Sequence, residues 1–351
     1  MDQKQGQTVW KKVSFLVPGD ISLETIKSPK DGETLVKAGQ ILTREDILRL
    51  LENDVNYLWV MVQPANPPVV EAKRIEKTKE EIKNIFNKVV ESMKIETEEV
   101  RQLSDQILSD IERNYSDKMS LIFFIQESDE EYTYVHEVHV GMISSLIGIE
   151  LGMKHSELAD LCFSAMIHDV GKVLVPKPVL YAQRKLTPEE FEIVKKHVLY
   201  GEKLCRASGI TNELVISGVR NHHEKLDGSG YLAGLKGSEI TSFARIIAVA
   251  DIYDALISQR SYKTPWSPYK AISELISMAS TGKLDGKVVR AFVSIVGLYP
   301  VGTTVILNNG VKATVVGNTR KVITRPIVRL EDGTKVDLSE EKSLTIVQVL
   351  D

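Results

Sequence analysis

The sequence predicts a multidomain chain: an all-α helical core, preceded by a small α+β N-terminal domain and followed by a short β-rich C-terminal appendage. Three observations predict it. Apolar residues recur at helical spacing through the middle of the chain, whereas both ends show period-two runs separated by turn residues. The cluster PANPP at 64–68 stops the first pattern, because neighbouring prolines disfavour both helix and ladder pairing. YPVG at 299–302 marks the return to period two. The divisions expected are therefore 1–66, a helical linker at 67–118, a helical domain at 119–298 and a β appendage at 299–351.

The first unit alternates β-branched runs, VSFLV and NYLWVMV, with the turn signals PGD, SPKDGE and AGQ. Its one helical pattern, TREDILRLLENDV, opens on a threonine cap. From Val69 to Asn114, apolar residues at helical spacing stand among many Lys and Glu with no Pro or Gly, which predicts one or two long helices. Their charged face is a solvated surface, and their apolar stripe is of the kind that pairs with a second subunit as a coiled coil, a homodimer through 69–114. Helix then follows helix from residue 115 to 298. The last stretch, TTVILNNGVKATVVGN, ITRPIVRLEDGTKVDL and LTIVQVL, reads as strands joined by Asn-Gly and Asp-Gly turns.

Bulk properties exclude several classes. The chain has 351 residues, and a net charge of -4 gives it no basic footprint for a nucleic-acid polymer. No apolar run approaches the roughly 20 residues of a membrane span, and the opening MDQKQGQTVWKK lacks a signal-peptide core, so a cytoplasmic protein is expected. The two cysteines, Cys162 and Cys205, lack a CxxC partner and read as buried free thiols.

The chemistry concentrates in histidine. Of seven histidines, His136, His168, His197, His222 and His223 fall on or at the end of helices in the middle region, with Asp169 and Asp251 among them. His168-Asp169 follows an apolar helical run and precedes a glycine, which puts the pair near a helix C-terminus facing a cavity. Adjacent residues on a helix diverge by roughly 100°, so both reach one site only if the site wraps around them. A carboxylate bridging two ions meets that condition, one oxygen to each. A lone histidine is usually a hydrogen-bonded core or surface residue, but Asp169 and Asp251 in the runs AMIHDV and IIAVADIYDAL are costly without a partner. A metal removes that cost, and imidazole with carboxylate suits Fe, Mn, Zn or Ni. His139 shares a face with His136, as a packing residue or a spare ligand, and His155 belongs to an exposed segment.

The pieces YTYVH (132–136), HDVGK (168–172), LTPEEFEIVKKHVLYG (186–201), HHEKLDGSGYL (222–232) and ADIYDALISQRSYK (250–263) together resemble the HD-GYP domain, a branch of the HD phosphohydrolase superfamily. The segments LVPGD and KAGQILT also resemble a module found ahead of such domains. The resemblance implies an HD-type helical fold that hydrolyses cyclic di-GMP to pGpG, and in some members to GMP, with iron or manganese.

Carried over, the implied ligands are His136, His168, Asp169, His197, His222, His223 and Asp251, with Asp169 bridging. Members with a third metal carry a glutamate one turn before the first histidine; Tyr132 stands there and Glu131 beside it, so two ions are expected. A water between two cations loses its proton near neutral pH and attacks phosphorus in line with the leaving oxygen. Lys172 is expected to hold a phosphate oxygen or stabilise the transition state. The loop residues Gly230 and Tyr231, with Asp254, Arg260 and Lys263, are the substrate contacts implied by the resemblance, and Asp254, one helical turn after Asp251, is alternatively expected to orient nearby groups.

One position departs from the family pattern. Leu232 replaces the signature proline, a change expected to loosen the loop and to bear on affinity, substrate preference and a signalling-protein partner. Two other functions stay open: hydrolysis of 3′,3′-cyclic GMP-AMP, and a catalytically weak receptor for cyclic di-GMP.

Overall fold

The computed structural model describes residues 6–65, 68–116, 129–258, 264–319 and 322–350, the side chains of 129–131 excepted. The chain opens with strand β1 (Gln7–Lys12), the short β2 (Ile21–Ser22), β3 (Ile26–Lys27) and β4 (Thr34–Val36), helix α1 (Arg44–Glu52) and β5 (Tyr57–Val62). β5 lies between β1 and β2, antiparallel to both, and β3 pairs with β4. The threonine cap is present: Thr43 Oγ1 accepts the Asp46 amide at 3.1 Å and the Asp46 carboxylate accepts the Thr43 amide at 2.9 Å.

VSFLV departs from its expected strand. Residues Val13–Phe15 form a 3-10 turn, closed by the Leu16 amide on the Val13 carbonyl. Val13, Leu16 and Val17 are all buried, a spacing of three and four that suits a turn and not a pleat.

Two helices, α2 (Ala72–Ser92) and α3 (Thr97–Asn114), occupy the linker region. Their apolar stripes, Ile75, Ile82, Phe86 and Val89 on α2 and Val100, Leu103, Ile107 and Ile111 on α3, belong to the main buried core. The seam considered for a second subunit is thus filled within the chain, by α4 (Asp129–Glu150) against α2 and α5 (His155–Met166) against α3.

Beyond α5 come a 3-10 turn (Val170–Leu174), α6 (Lys177–Leu180), α7 (Pro188–Lys195), α8 (His197–Ala207), α9 (Glu213–Asn221), α10 (Ser242–Ile257), α11 (Pro268–Ser280) and α12 (Gly286–Val296). α4 and α10 cross at the centre, and most of their described side chains are buried. A helix enclosed on nearly every side cannot send its charged residues to water. His136, His139, Asp251 and Asp254 therefore face one another, and Glu137 faces His168.

The chain closes with β6 (Thr304–Leu307), β7 (Lys312–Gly317), β8 (Ile327–Leu330), β9 (Lys335–Asp337) and β10 (Ile346–Leu350), an antiparallel sheet in the order β10-β6-β7-β8-β9. This sheet packs on the N-terminal one. Val9, Val62 and Val316 share a small buried cluster. Beside it the fully buried Asp20 carboxylate takes Lys11 at 3.1 Å and Arg329 at 2.5 Å. Among the described residues, no helix is long and apolar enough to cross a membrane.

Candidate metal centre

Three histidines reach the centre by the same local device. α5, α7 and α9 each end close to one of them, and each histidine turns its Nδ1 back to a carbonyl three residues earlier. The contacts are His168 to Ala165 O at 2.8 Å, His197 to Val194 O at 2.7 Å and His222 to Val219 O at 3.0 Å. Carbonyls in a last helical turn lack a full set of intrahelical partners, so the ring finds an acceptor there. A carbonyl can only accept, so Nδ1 carries a proton, and in the neutral ring Nε2 keeps a lone pair. All three Nε2 atoms are buried without a hydrogen bond, and so is Asp169 Oδ1.

These orphaned atoms converge. His197 Nε2 lies 3.0 Å and His222 Nε2 3.7 Å from Asp169 Oδ1. The other oxygen, Asp169 Oδ2, faces His168 Nε2 at 3.5 Å and His136 Nε2 at 3.9 Å, and the Lys172 ammonium also contacts it. Asp251 is divided in the same way, Oδ1 towards His136 at 3.3 Å and Oδ2 towards His223 at 3.5 Å. Donor atoms of Asp169, His197, His222 and His223 lie within 4.8 Å of one another, as do those of His136, His168 and Asp251. The residues expected to bind metal are thus brought together in two adjoining groups, with the Asp169 carboxylate between them.

Charge supports the same fit. Burial opposes ionisation of Asp169, yet Lys172, His168, His197 and His222 outweigh it and hold the carboxyl well below its usual range. Asp251 is likewise held low against burial, chiefly by His136 and His223. Burial, helped by the His168 charge and opposed by Asp169 and Asp251, pushes His222 down to about 4, which leaves it neutral and able to ligate. For His168 burial also pulls downward, but Glu137, Asp169 and Asp251 overcome it and raise the ring to about 10. Buried carboxylates that draw a proton onto a neighbouring imidazole make a site suited to a cation.

Two residues expected to touch substrate do other work. Asp254 is fully buried and lines no part of the cavity beside the centre. Its Oδ2 accepts His136 Nδ1 at 2.7 Å and the Tyr132 hydroxyl at 2.7 Å, and its Oδ1 accepts His139 Nδ1 at 2.8 Å. It therefore positions His136, and His139 is the second partner of that carboxylate. Gly230 packs on its own chain: a Cβ there would meet the Glu224 Cα and approach the His223 carbonyl to 2.5 Å. That close approach by itself requires glycine.

Tyr231 does face the cavity, its ring centroid 4.7 Å from that of His223. Burial, then the Asp169 and Asp251 charges, pushes its hydroxyl pKa up. Arg260 and Lys263 lie outside the described residues, as does the side chain of Glu131. His155 is exposed, as expected, and pairs with Glu112 at 2.9 Å.

Two residues went unnoticed in the sequence. Glu137 is fully buried with an oxygen 2.9 Å from His168 Nδ1, and the apolar run VHEVHV around it carried the same signal that identified Asp169. Glu224, also buried, accepts the amides of Ala233 at 2.7 Å, Gly234 at 3.2 Å and Leu235 at 3.2 Å. It ties down the loop that Leu232 was expected to loosen.

The cavity has a volume of about 530 Å³. His136, His197, His223, Asp251 and Lys172 open onto it, while Tyr181, Phe191 and Tyr231 give it aromatic walls. This is a size suited to a small organic ligand.

A family model described as "HD domain" matches residues 119–288. A cyclic di-GMP phosphodiesterase of Pseudomonas aeruginosa is 29% identical over 308 residues, 86% of this chain and 73% of that protein. One of Thermotoga maritima is 34% identical over 211 residues, 60% of this chain and 57% of the relative. A 3′3′-cGAMP-specific phosphodiesterase of Vibrio cholerae is 37% identical over 158 residues, 45% of this chain and 30% of the relative. The chain thus spans just over half the length of the Thermotoga relative and less than a third of the Vibrio one.

Proposed function

The chain belongs to the HD-GYP family of HD-domain cyclic di-GMP phosphodiesterases, and from that membership we propose that it opens cyclic di-GMP to linear pGpG at a centre holding two divalent ions. The observation that carries the reading is the Asp169 carboxylate, one oxygen towards His197 and His222 and the other towards His136 and His168, beside three buried Nε2 atoms that make no hydrogen bond. His136, His168 and Asp251 would hold one ion and His197, His222 and His223 the other, with Asp169 shared. When bound, the ions supply a water acidic enough to ionise near neutral pH and neutralise charge on the phosphodiester. Iron and manganese suit this imidazole and carboxylate set.

The chain's own residues supply position. Lys172, on the cavity wall, is placed to donate to a phosphate oxygen. Tyr181, Phe191 and Tyr231 offer ring faces to guanine. The Tyr132 hydroxyl is engaged by Asp254 at 2.7 Å, which supports two ions and not three.

The test is to load purified protein with Fe(II) or Mn(II), add cyclic di-GMP and separate the products. Linear pGpG is expected, and its absence with both ions would overturn the reading in favour of a receptor. The Vibrio relative favours a second substrate, 3′,3′-cyclic GMP-AMP. Competition between the two dinucleotides on one preparation ranks them.

A further inference from the structure

All three tryptophans of the chain gather away from the metal centre. Trp10 on β1 and Tyr57 on β5 share one face of the N-terminal sheet, their ring planes 8° apart and centroids 5.9 Å apart. Trp59 tilts against Trp10 at 5.4 Å. Trp266, just ahead of α11, joins Trp10 and Tyr57 in lining a cavity of about 350 Å³, with Trp59 behind Trp10. Lys12 and Lys270 complete the wall, and no carboxylate side chain among the described residues lines it. The Lys270 ammonium stands 4.3 Å from the centroid of the Trp266 ring.

We propose that this cavity is a regulatory site for a purine mononucleotide. Indole and phenol faces stack on a planar base whatever its hydrogen-bonding edge, and a purine offers the larger face. Exposed ammonium groups without an opposing carboxylate favour a phosphate. Size argues for a ligand smaller than a dinucleotide: about 350 Å³ is at the lower end for ligand cavities, against about 530 Å³ at the metal centre.

The wall is also joined to the centre. The Trp266 amide donates to the Leu256 carbonyl at 2.9 Å, and Leu256 lies on α10, lines the metal-centre cavity and shares that helix with Asp251. A ligand that fixes Trp266 therefore acts on the helix that carries a metal-site carboxylate.

Tryptophan fluorescence reads this site selectively, because no tryptophan lines the metal-centre cavity. The metal-loaded full chain is titrated with GMP, with AMP and with inorganic phosphate. Saturable quenching by a nucleotide but not by phosphate is expected, at least tenfold weaker in the Lys12→Ala/Lys270→Ala variant, both positions being exposed. The same nucleotide should change kcat or KM for cyclic di-GMP in the parent, and the variant should lose that effect. No saturable quenching, equal quenching by phosphate, or undiminished affinity in the variant would overturn the site. Binding that left both kinetic constants unchanged would overturn its regulatory role.

Discussion

Asp254 and His136 meet at 2.7 Å, the carboxylate Oδ2 accepting Nδ1–H, although neither residue is near the other in sequence. This contact fixes the tautomer and leaves His136 Nε2 aimed at Asp251 and Asp169. Replacing Asp254 by Asn removes the charge while keeping the shape. Metal affinity is expected to fall by about 10 to 100-fold, read by metal titration, and added Mn(II) should restore much of the activity.

With Asp169 proposed as the carboxylate shared by two ions, Asp169→Ala should lose both ions and leave turnover near background. Metal analysis beside product analysis checks this. A variant that kept two ions and its activity would sink the bridging assignment.

Ions that bind only the folded chain raise its melting temperature by mass action, with about 2.7 kcal/mol at a concentration 100 times Kd. Mn(II) should therefore raise Tm in the parent, chelator should reverse the rise, and His222→Ala should blunt it. The comparison needs only a thermal melt.

Gly171 permits the 3-10 turn after Asp169 to lie against α8. A Cβ there would meet the His197 carbonyl and come within 2.5 Å of the Gly201 amide nitrogen, both backbone groups that cannot rotate away. Gly171→Ala is expected to cost about 1 to 3 kcal/mol of stability, with lower metal occupancy because His197 must move. Denaturant unfolding and metal analysis together test both effects.

Cys162 and Cys205 are buried free thiols, as their sequence setting suggests, and burial is the leading cause that pushes them up to about 11 and about 12. At pH 7.5 the reactive thiolate is scarce and enclosed. Iodoacetamide should leave both unmodified in the native protein and label both after unfolding, as mass spectrometry will show.

Much of the centre was legible because it breaks a local rule. Asp169 and Asp251 stand in apolar helical runs, and an ionised group there demands a partner. Glu137 breaks the same rule and could have been found by it. An orienting role for Asp254 was legible one helical turn after Asp251, but its partners His136 and His139 were not, since they depend on where α10 crosses α4. The sheets at the two ends were readable as strands and turns, but their union was not, because long-range pairing leaves no periodic trace. VSFLV shows the converse limit: β-branched composition suggested a strand where buried positions three and four apart made a turn.

The Asp20–Arg329 contact joins residues 309 positions apart. During synthesis from the N-terminus, β1, β2 and β5 leave the ribosome long before β8, the strand that carries the arginine. Until β7 emerges Val9 and Val62 lack their Val316 partner, and until β8 emerges the Asp20 carboxylate lacks one of its two cations. The sheet of β1, β5 and β2 can therefore pair its strands early, but a nascent chain must carry it without these packing and ionic partners until β7 and β8 emerge.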